Sequence, residues 1–356
     1  MIKDYLYNLA TDKTRGLIAG VIKAFLFLLS LIYGLAVRAL IALSRLKPYR
    51  LNCKVISVGN ITLGGTGKTV LVEYIARYLK SQGHHKVAIL SRGYKRKKPL
   101  PVTRYPLPET MGDEPYMLAK KLGDVPVIVD PDRIRAGLKA IKDYGADTLI
   151  LDDGFQQWRI HKDLEIVCID AVNPFGNRNM IPRGILREPL SALKRADVFI
   201  LTKTNLSPNT QEIKDFLQCL NPSAQVFGAI HQPSGFCRID KSDELLDPHA
   251  LAKKTAALFC GIGAPASFEN LIAGLDIKIG LSFKFPDHHH YTKEDLDKIM
   301  AASKEKNIDT IITTEKDAMR LLGLQLTAYD LQLLVLRIEL KITQDENIFL
   351  DRLPRL

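Results

Sequence analysis

Residues 54–79, KVISVGNITLGGTGKTVLVEYIARYL, constrain the fold of this chain more than any other stretch. An apolar run leads into a glycine-rich turn, then Gly67-Lys68-Thr69, then a segment with apolar residues at Val72, Ile75, Ala76 and Leu79. Strand, glycine turn and helix in that order make a phosphate-binding loop. Glycines let backbone N–H groups close around oxyanions at a helix N-terminus, where the dipole favours negative charge. The loop is expected to comprise Thr62, Leu63, Gly64, Gly65, Thr66, Gly67, Lys68 and Thr69. Lys68 then reaches the β- and γ-phosphates, and the Thr69 hydroxyl ligates Mg2+. The strict pattern has glycine where this chain has Thr62.

The acidic counterpart of such a loop is TLILDDGFQ, in which an apolar strand delivers Asp152 and Asp153 at its end. Carboxylates there can hold Mg2+ beside bound phosphates, with Asp152 as the ligand. A guanine-reading NKxD element is missing; the nearest segment, TKTN at 202–205, lacks the Asp, which favours ATP. Further apolar, β-branched runs recur at 87–90, 125–129, 165–170 and 197–201, several separated by helical patterns such as VLVEYIARYLK and EPYMLAKKL. Alternating strands and helices predict a mostly parallel α/β sheet of the P-loop NTPase kind, with helices on both faces. The pattern loosens over 205–255, and TAALFCGIG, DTIITTEKD and LQLLVLRIEL beyond it predict a second, smaller α/β lobe. The expected domains are an N-terminal membrane-associated helix over 1–50, a P-loop domain over 51–230 and a lobe over 231–356 that closes the cleft.

From Gly16 to Ser44 the chain is almost continuously apolar. The h-region is too long for a signal peptide and lacks a small-residue cleavage site. The charge-free run Ala24–Val37 covers roughly 21 Å as a helix, short of a hydrocarbon core of roughly 30 Å. On a helical wheel starting at Arg15, Lys23, Arg38 and Arg45 fall at about 80°, 140° and 120°, so the cations share one arc. A helix lying in the interface with its basic stripe toward anionic headgroups is the expectation, and a spanning helix the alternative.

With 50 Lys and Arg against 39 Asp and Glu, the net charge of +11 favours an anionic partner. Nucleic acid is not expected, because the cations sit in the anchor and loops without an aromatic-interleaved platform. The five cysteines form no CxxC pair, which argues against a zinc ribbon or disulfide framework and for a reducing compartment. His288–His290 is a poor metal site, since consecutive side chains rarely converge on one ion.

Five other segments stand out: SRGYKRKKP (91–99), MGDEPYMLAKKL (111–122), PVIVDPDRIRAG (126–137), FGNRNMIPRGILREPLSALKRAD (175–197) and FPDHHHYT (285–292). The cationic run Lys95–Lys98 reads as a solvated or membrane-facing loop. Taken in order, GGTGKT, RGY, GDEP, DDGFQ, LREPLSAL and FPDHH resemble the tetraacyldisaccharide 4'-kinases of lipid A biosynthesis, over nearly the whole chain. The resemblance implies transfer of the ATP γ-phosphate to the 4'-hydroxyl of an acylated glucosamine disaccharide 1-phosphate. It further implies a place on the cytoplasmic face of the bacterial inner membrane, against an anionic surface and with no obligate protein partner. In residue terms it implies Asp113 as the group activating the hydroxyl, His288 paired with it, and Lys68 and Arg187 on phosphate. Glu114 is expected near the metal, and Asp153, Gln156, Arg133, Arg92 and Glu188 around the substrate. The rival is a membrane-attached P-loop switch or partitioning ATPase that hydrolyses nucleotide against water.

Overall fold

The computed structural model describes residues 8–83, 86–93, 111–239, 244–322, 324 and 332–353; the run Lys95–Lys98 lies outside them. In chain order the elements begin with α1 (Leu17–Arg45), β1 (Lys54–Gly59), α2 (Lys68–Ser81), β2 (Val87–Ser91) and α3 (Asp113–Leu122). Next come β3 (Val127–Val129), α4 (Arg133–Tyr144), β4 (Thr148–Asp152), β5 (Leu164–Asp170) and β6 (Val198–Thr202). Then follow α5 (Thr210–Leu220), β7 (Gln225–Arg238), β8 (Leu245–Leu246), β9 (Thr255–Cys260) and α6 (Pro265–Ala273). The last are β10 (Lys278–Lys284), α7 (Lys293–Glu305), β11 (Thr310–Thr314), α8 (Glu315–Leu321), β12 (Gln332–Ile342) and α9 (Glu346–Leu350).

Contacts divide the chain into two compact units, one of Met1–Arg92, Asp124–Ile230 and Ile342–Leu356, the other of Gly93–Gly123 and His231–Lys341. The expected division of the chain at 230/231 therefore differs in two places. Gly93–Gly123, carrying the GDEP segment, groups with the second unit, where α3 packs on α8 and the largely buried Lys121 pairs with Glu315 at 2.9 Å. The last residues return to the first unit, where the Tyr74 hydroxyl donates to Glu346 and Phe349 packs on Tyr74 and Phe227.

In the first unit the strand order is β7-β6-β5-β1-β4-β2-β3, with every neighbouring pair parallel. Continuous apolar runs make these strands because both faces are covered. Val55, Leu149 and Leu151 pack with Ala136 and Ala140 of α4, and farther along the same face Val167, Phe199 and Leu201 pack with Ile213 and Leu217 of α5. The alternate residues Ile56, Ile150 and Ile166 are buried on the other face. In the second unit β10-β9-β11-β12 run parallel, followed by the later part of β7, on which β8 pairs antiparallel. β7 and α5 occupy the stretch expected to be loose. Ile230–Ser234 within β7 are all half-buried, so the strand carries no alternation of buried and exposed residues there, and Pro233 further masks it.

Helix α1 has 29 residues, a length of about 44 Å, and is apolar and long enough to cross a membrane. Its buried positions, Ala19, Ser30, Gly34 and Val37, form one stripe along most of its length. On the same wheel they fall at about 40°, 60°, 100° and 40°, the arc that also carries the cations. The basic stripe therefore follows the seam with the first unit rather than an outward face. Lys23 pairs with Asp12 at 2.6 Å and donates to the Thr14 carbonyl. Tyr33 donates to the Arg187 carbonyl, and Gly34 sits against Met180. The outward arc is apolar, with Leu17, Ile18, Val21, Leu28, Ile32, Leu35 and Leu43 each more than 60% exposed.

Asp12 clamps the start of this helix, accepting from Lys23, both oxygens from Arg183, and Asn177. The Lys23 hydrogen bond above all holds its carboxyl down at about 2. A depressed carboxyl stabilises the fold above its ordinary pKa, and that contribution is lost as pH falls through the depressed value. The clamp is thus expected to be intact at neutral pH and to fail between about pH 4 and pH 2. Hydrogen exchange at the first turn of α1 checks this: Asp12→Asn should speed exchange there several-fold at neutral pH, leaving β1 unchanged.

Candidate functional site

The site begins where β1 and β4 end side by side. The parallel register pairs Val58 with Asp152, so Asn60 follows one strand and Asp153 the other. Their approach is close: a Cβ on Gly59 would lie 2.4 Å from the Phe155 nitrogen. The chain then turns through Gly64 (φ 114°) and Gly67 (φ 82°), conformations open to glycine, and α2 starts at Lys68. α2 forms because Leu71, Val72, Ile75, Ala76 and Leu79 bury one stripe.

A web of side chains and main chain holds this loop. The segment 185–187 pairs with its first residues: Leu63 N donates to Ile185 O and Arg187 N to Ile61 O, both at 2.8 Å. Arg187 grips Asp153 with both terminal nitrogens, at 2.9 and 2.8 Å, and also donates to the carbonyl and side chain of Asn60. Lys68 lies 3.1 Å from Asn60 Oδ1 and 3.5 Å from Asp153. Burial pushes the Asp153 carboxyl up, but Arg187 and Lys68 outweigh it and hold it well below the usual carboxylate range. Farther along the loop, Thr202 donates to the Thr66 carbonyl and Lys203 to the Gly65 carbonyl, Lys203 being itself paired with Asp170. Thus TKTN, which lacks the guanine-reading Asp, supplies the loop's support.

Oxygen donors suited to a hard cation stand at the same place. Thr69 is the second residue of α2, Asp152 ends β4 with its Oδ2 receiving the Ser91 hydroxyl at 3.1 Å, and among the described residues the buried Thr66 hydroxyl has no hydrogen-bond partner. Among the described residues no group of three or more His, Cys, Asp or Glu makes a metal cage. This set fits Mg2+, which takes one or two protein carboxylates and completes its shell with water and phosphate oxygens.

Several expected substrate contacts act instead as supports. Glu188 is fully buried, with Oε1 accepting from Gln156 and Trp158 and Oε2 from Arg195 at 2.8 Å. Arg195 in turn lies over the Phe155 ring. With no exposed surface, Glu188 cannot touch a substrate. Gln156 donates to Glu188 and to the Asn60 carbonyl, bracing the end of β1. Arg133 is 2% exposed and reaches the Asp130 and Asp152 carbonyls, so it too is a strut rather than a contact. Burial draws its pKa down to about 10, against the pull of Asp152 and Asp153. Arg187 and Asp153 bind each other, while Arg92 is exposed.

The second unit holds its own cluster. Asp113, the first residue of α3, faces His288 Nδ1 at 3.4 Å and accepts from Arg320 Nε at 2.7 Å. Burial raises its carboxyl, but the neighbouring His288 and the Arg320 guanidinium prevail and bring it to about 2. Glu114, expected near the metal, has its carboxylate engaged by Lys316. Asn60, Lys203 and Arg320 escaped the sequence reading. Asn60 follows the strand directly, and Arg320 stands three residues after Asp317 on α8, a spacing that puts both on one helix face.

Comparison with known proteins agrees on one family. The model described as "Tetraacyldisaccharide-1-P 4'-kinase" matches residues 22–355. A tetraacyldisaccharide 4'-kinase of Halothermothrix orenii is 39% identical over 344 residues, covering 90% of this chain and 88% of that one. One of Desulfatibacillum aliphaticivorans is 35% identical, covering 95% and 94%. Among solved structures, LpxK from Aquifex aeolicus in complex with ATP is similar at a TM-score of 0.75 and 30% identity, covering 94% of this chain and 99% of that one.

The supporting role of Glu188 has a direct check. Glu188→Ala should cost about 3 kcal/mol in urea unfolding, because it leaves the Arg195 charge without its partner. A substrate contact would instead raise KM at unchanged stability.

Proposed function

This chain belongs to the tetraacyldisaccharide-1-P 4'-kinase family, and from that premise we propose that it transfers the γ-phosphate of ATP to the 4'-hydroxyl of an acylated glucosamine disaccharide 1-phosphate. The observation that carries the reading is the register of β1 and β4, which sets a phosphate loop beside the Asp152–Asp153 pair. Backbone amides of 62–69 and the Lys68 ammonium receive the nucleotide phosphates. Thr69 and Asp152 hold Mg2+, whose chemistry is to neutralise charge on the phosphate oxygens. Arg187 and Asp153 act through the loop they brace, and the exposed Arg92 is available to substrate.

Asp113 takes the proton of the acceptor hydroxyl as its oxygen bonds to the γ-phosphorus. The bond from that phosphorus to the β–γ bridging oxygen breaks, and ADP leaves. Asp113 is ionised at neutral pH and so is able to accept that proton. Catalysis beyond that is positioning and charge stabilisation.

The acceptor is a lipid, and α1 supports an interfacial site. Its seam with the first unit extends from Ala19 to Val37, about 27 Å, so that stretch lies on protein along one side and meets lipid with the other. We place the chain as a monotopic protein on the cytoplasmic face of the inner membrane. Near the end of α1 a groove of about 680 Å³ is lined by Arg38, Ile41, Arg45, Pro189 and Lys194. Among the described residues Arg38, Arg45 and Lys194 have no carboxylate partner, so the groove suits a phosphate-bearing head beside an apolar surface.

The test is transfer from γ-labelled ATP in detergent micelles with and without the disaccharide 1-phosphate. Label should enter the lipid, depend on Mg2+, and fall at least about 100-fold in Lys68→Ala. Replacing Arg38, Arg45 and Lys194 with Glu should raise KM for the lipid while leaving KM for ATP unchanged. Label released only as inorganic phosphate by folded, nucleotide-bound protein would instead fit a switch ATPase.

A further inference from the structure

The second unit contains a guanidinium that the sequence reading did not use. The Arg320 side chain is 1% exposed, and all three of its nitrogens are engaged. Nε donates to Asp113 Oδ2 at 2.7 Å, and Nη1 donates to the Gly261 carbonyl at 2.8 Å and to Asp317 Oδ1 at 3.0 Å. Nη2 faces His288 Nδ1 at 3.2 Å. Asp317, itself fully buried, is fixed in turn by the Gly261 amide and the Tyr291 and Thr314 hydroxyls. His288 adopts φ 63°, and its own amide donates to the same Gly261 carbonyl. A rigid frame therefore presents one side of Arg320 to both members of the Asp113–His288 pair.

The geometry sets a choice at His288 Nδ1. Arginine has donors and no acceptor, so Nδ1 can meet Nη2 favourably only through its lone pair. The same nitrogen lies 3.4 Å from Asp113 Oδ2, and a hydrogen bond there needs a hydrogen on Nδ1. The two arrangements exclude each other. The Arg320 contact is the shorter and comes from a group that three other acceptors already fix.

We propose that Arg320 is a positioning residue for the reaction, bridging Asp113 Oδ2 and His288 Nδ1 and fixing His288 as the tautomer with its hydrogen on Nε2. That hydrogen then points to the side where Asp287 lies 3.9 Å away. Asp113 is held by one oxygen, and among the described residues Oδ1 accepts no hydrogen bond. Oδ1 is the oxygen that takes the proton of the acceptor hydroxyl. His288 steadies the carboxylate through the guanidinium between them and does not itself receive that proton at Nδ1. This inference rests on the proposed role of Asp113 as base, and the test separates the two.

Long-range proton–nitrogen correlation on ¹⁵N-histidine protein reads the tautomer directly, with His288→Gln assigning the signal. At about pH 8, where an ordinary histidine is neutral, wild type should show a bare Nδ1 and a proton-bearing Nε2. Arg320→Met should move the population toward hydrogen on Nδ1, donated to Asp113. It should also lower kcat about 100-fold with KM for ATP unchanged, and Arg320→Lys should restore part of the rate. Hydrogen on Nδ1 in wild type overturns the proposal, as does an unchanged tautomer in Arg320→Met. If Arg320→Met does not fold, the wild-type spectrum and the Arg320→Lys tautomer decide. The expected tautomer in a protein that phosphorylates no lipid would refute the kinase reading and leave only the Arg320–His288 tautomer assignment standing.

Discussion

The phosphate loop depends on the Arg187 guanidinium and the groups it joins. A loop built of Gly64, Gly65 and Gly67 has almost no side chains with which to hold itself, so its shape must come from neighbours. Arg187 ties the end of β4, through Asp153, to the end of β1, through Asn60. The backbone of 185–187 pairs with 61–63 beneath it. Glu188, the next residue, is buried and locks the segment from behind by binding Gln156, Trp158 and Arg195. Such a buried charge is tolerable because both of its oxygens are satisfied, one of them by a guanidinium. Removing any part leaves charged or polar groups without partners, which explains why LREP is one stretch rather than scattered residues.

Helix α1 solves a different problem with the same chain. An isolated helix of this apolarity would be satisfied on every side by hydrocarbon. This one gives a stripe with small residues, including Ala19, Ser30 and Gly34, to protein, where close approach is possible, and presents its large apolar residues outward. Lys23, on the seam, is neutralised by Asp12, while Arg38 and Arg45 keep their charge at the groove. In the proposed interfacial placement, attraction to anionic headgroups and burial of hydrocarbon surface act on adjacent parts of one element.

Much of the first unit was legible because local and global signals coincide there. Each fully buried parallel strand is a short apolar run, and the glycine loop can serve as little else between a strand and an amphipathic helix. β7 was not legible, since its half-buried middle lacks the period-2 alternation that marks a strand facing solvent on one side. The supporting roles of Glu188 and Arg133 were hidden for a related reason. A charged residue beside a phosphate motif reads as a ligand, and only its burial shows that it serves other side chains. Arg320 lay outside every motif, because its partners come from residues 113, 261, 288 and 317, which only the fold brings together.

The loop is shaped before nucleotide arrives, and Arg187 shapes it. The most direct measurement is hydrogen exchange at the Leu63 amide, which donates to Ile185, in nucleotide-free protein. In Arg187→Gln this amide should exchange at least about tenfold faster while amides inside β1 and β4 keep their protection. Unchanged protection at Leu63 in a folded Arg187→Gln protein would contradict the account and leave the loop's shape to its backbone alone.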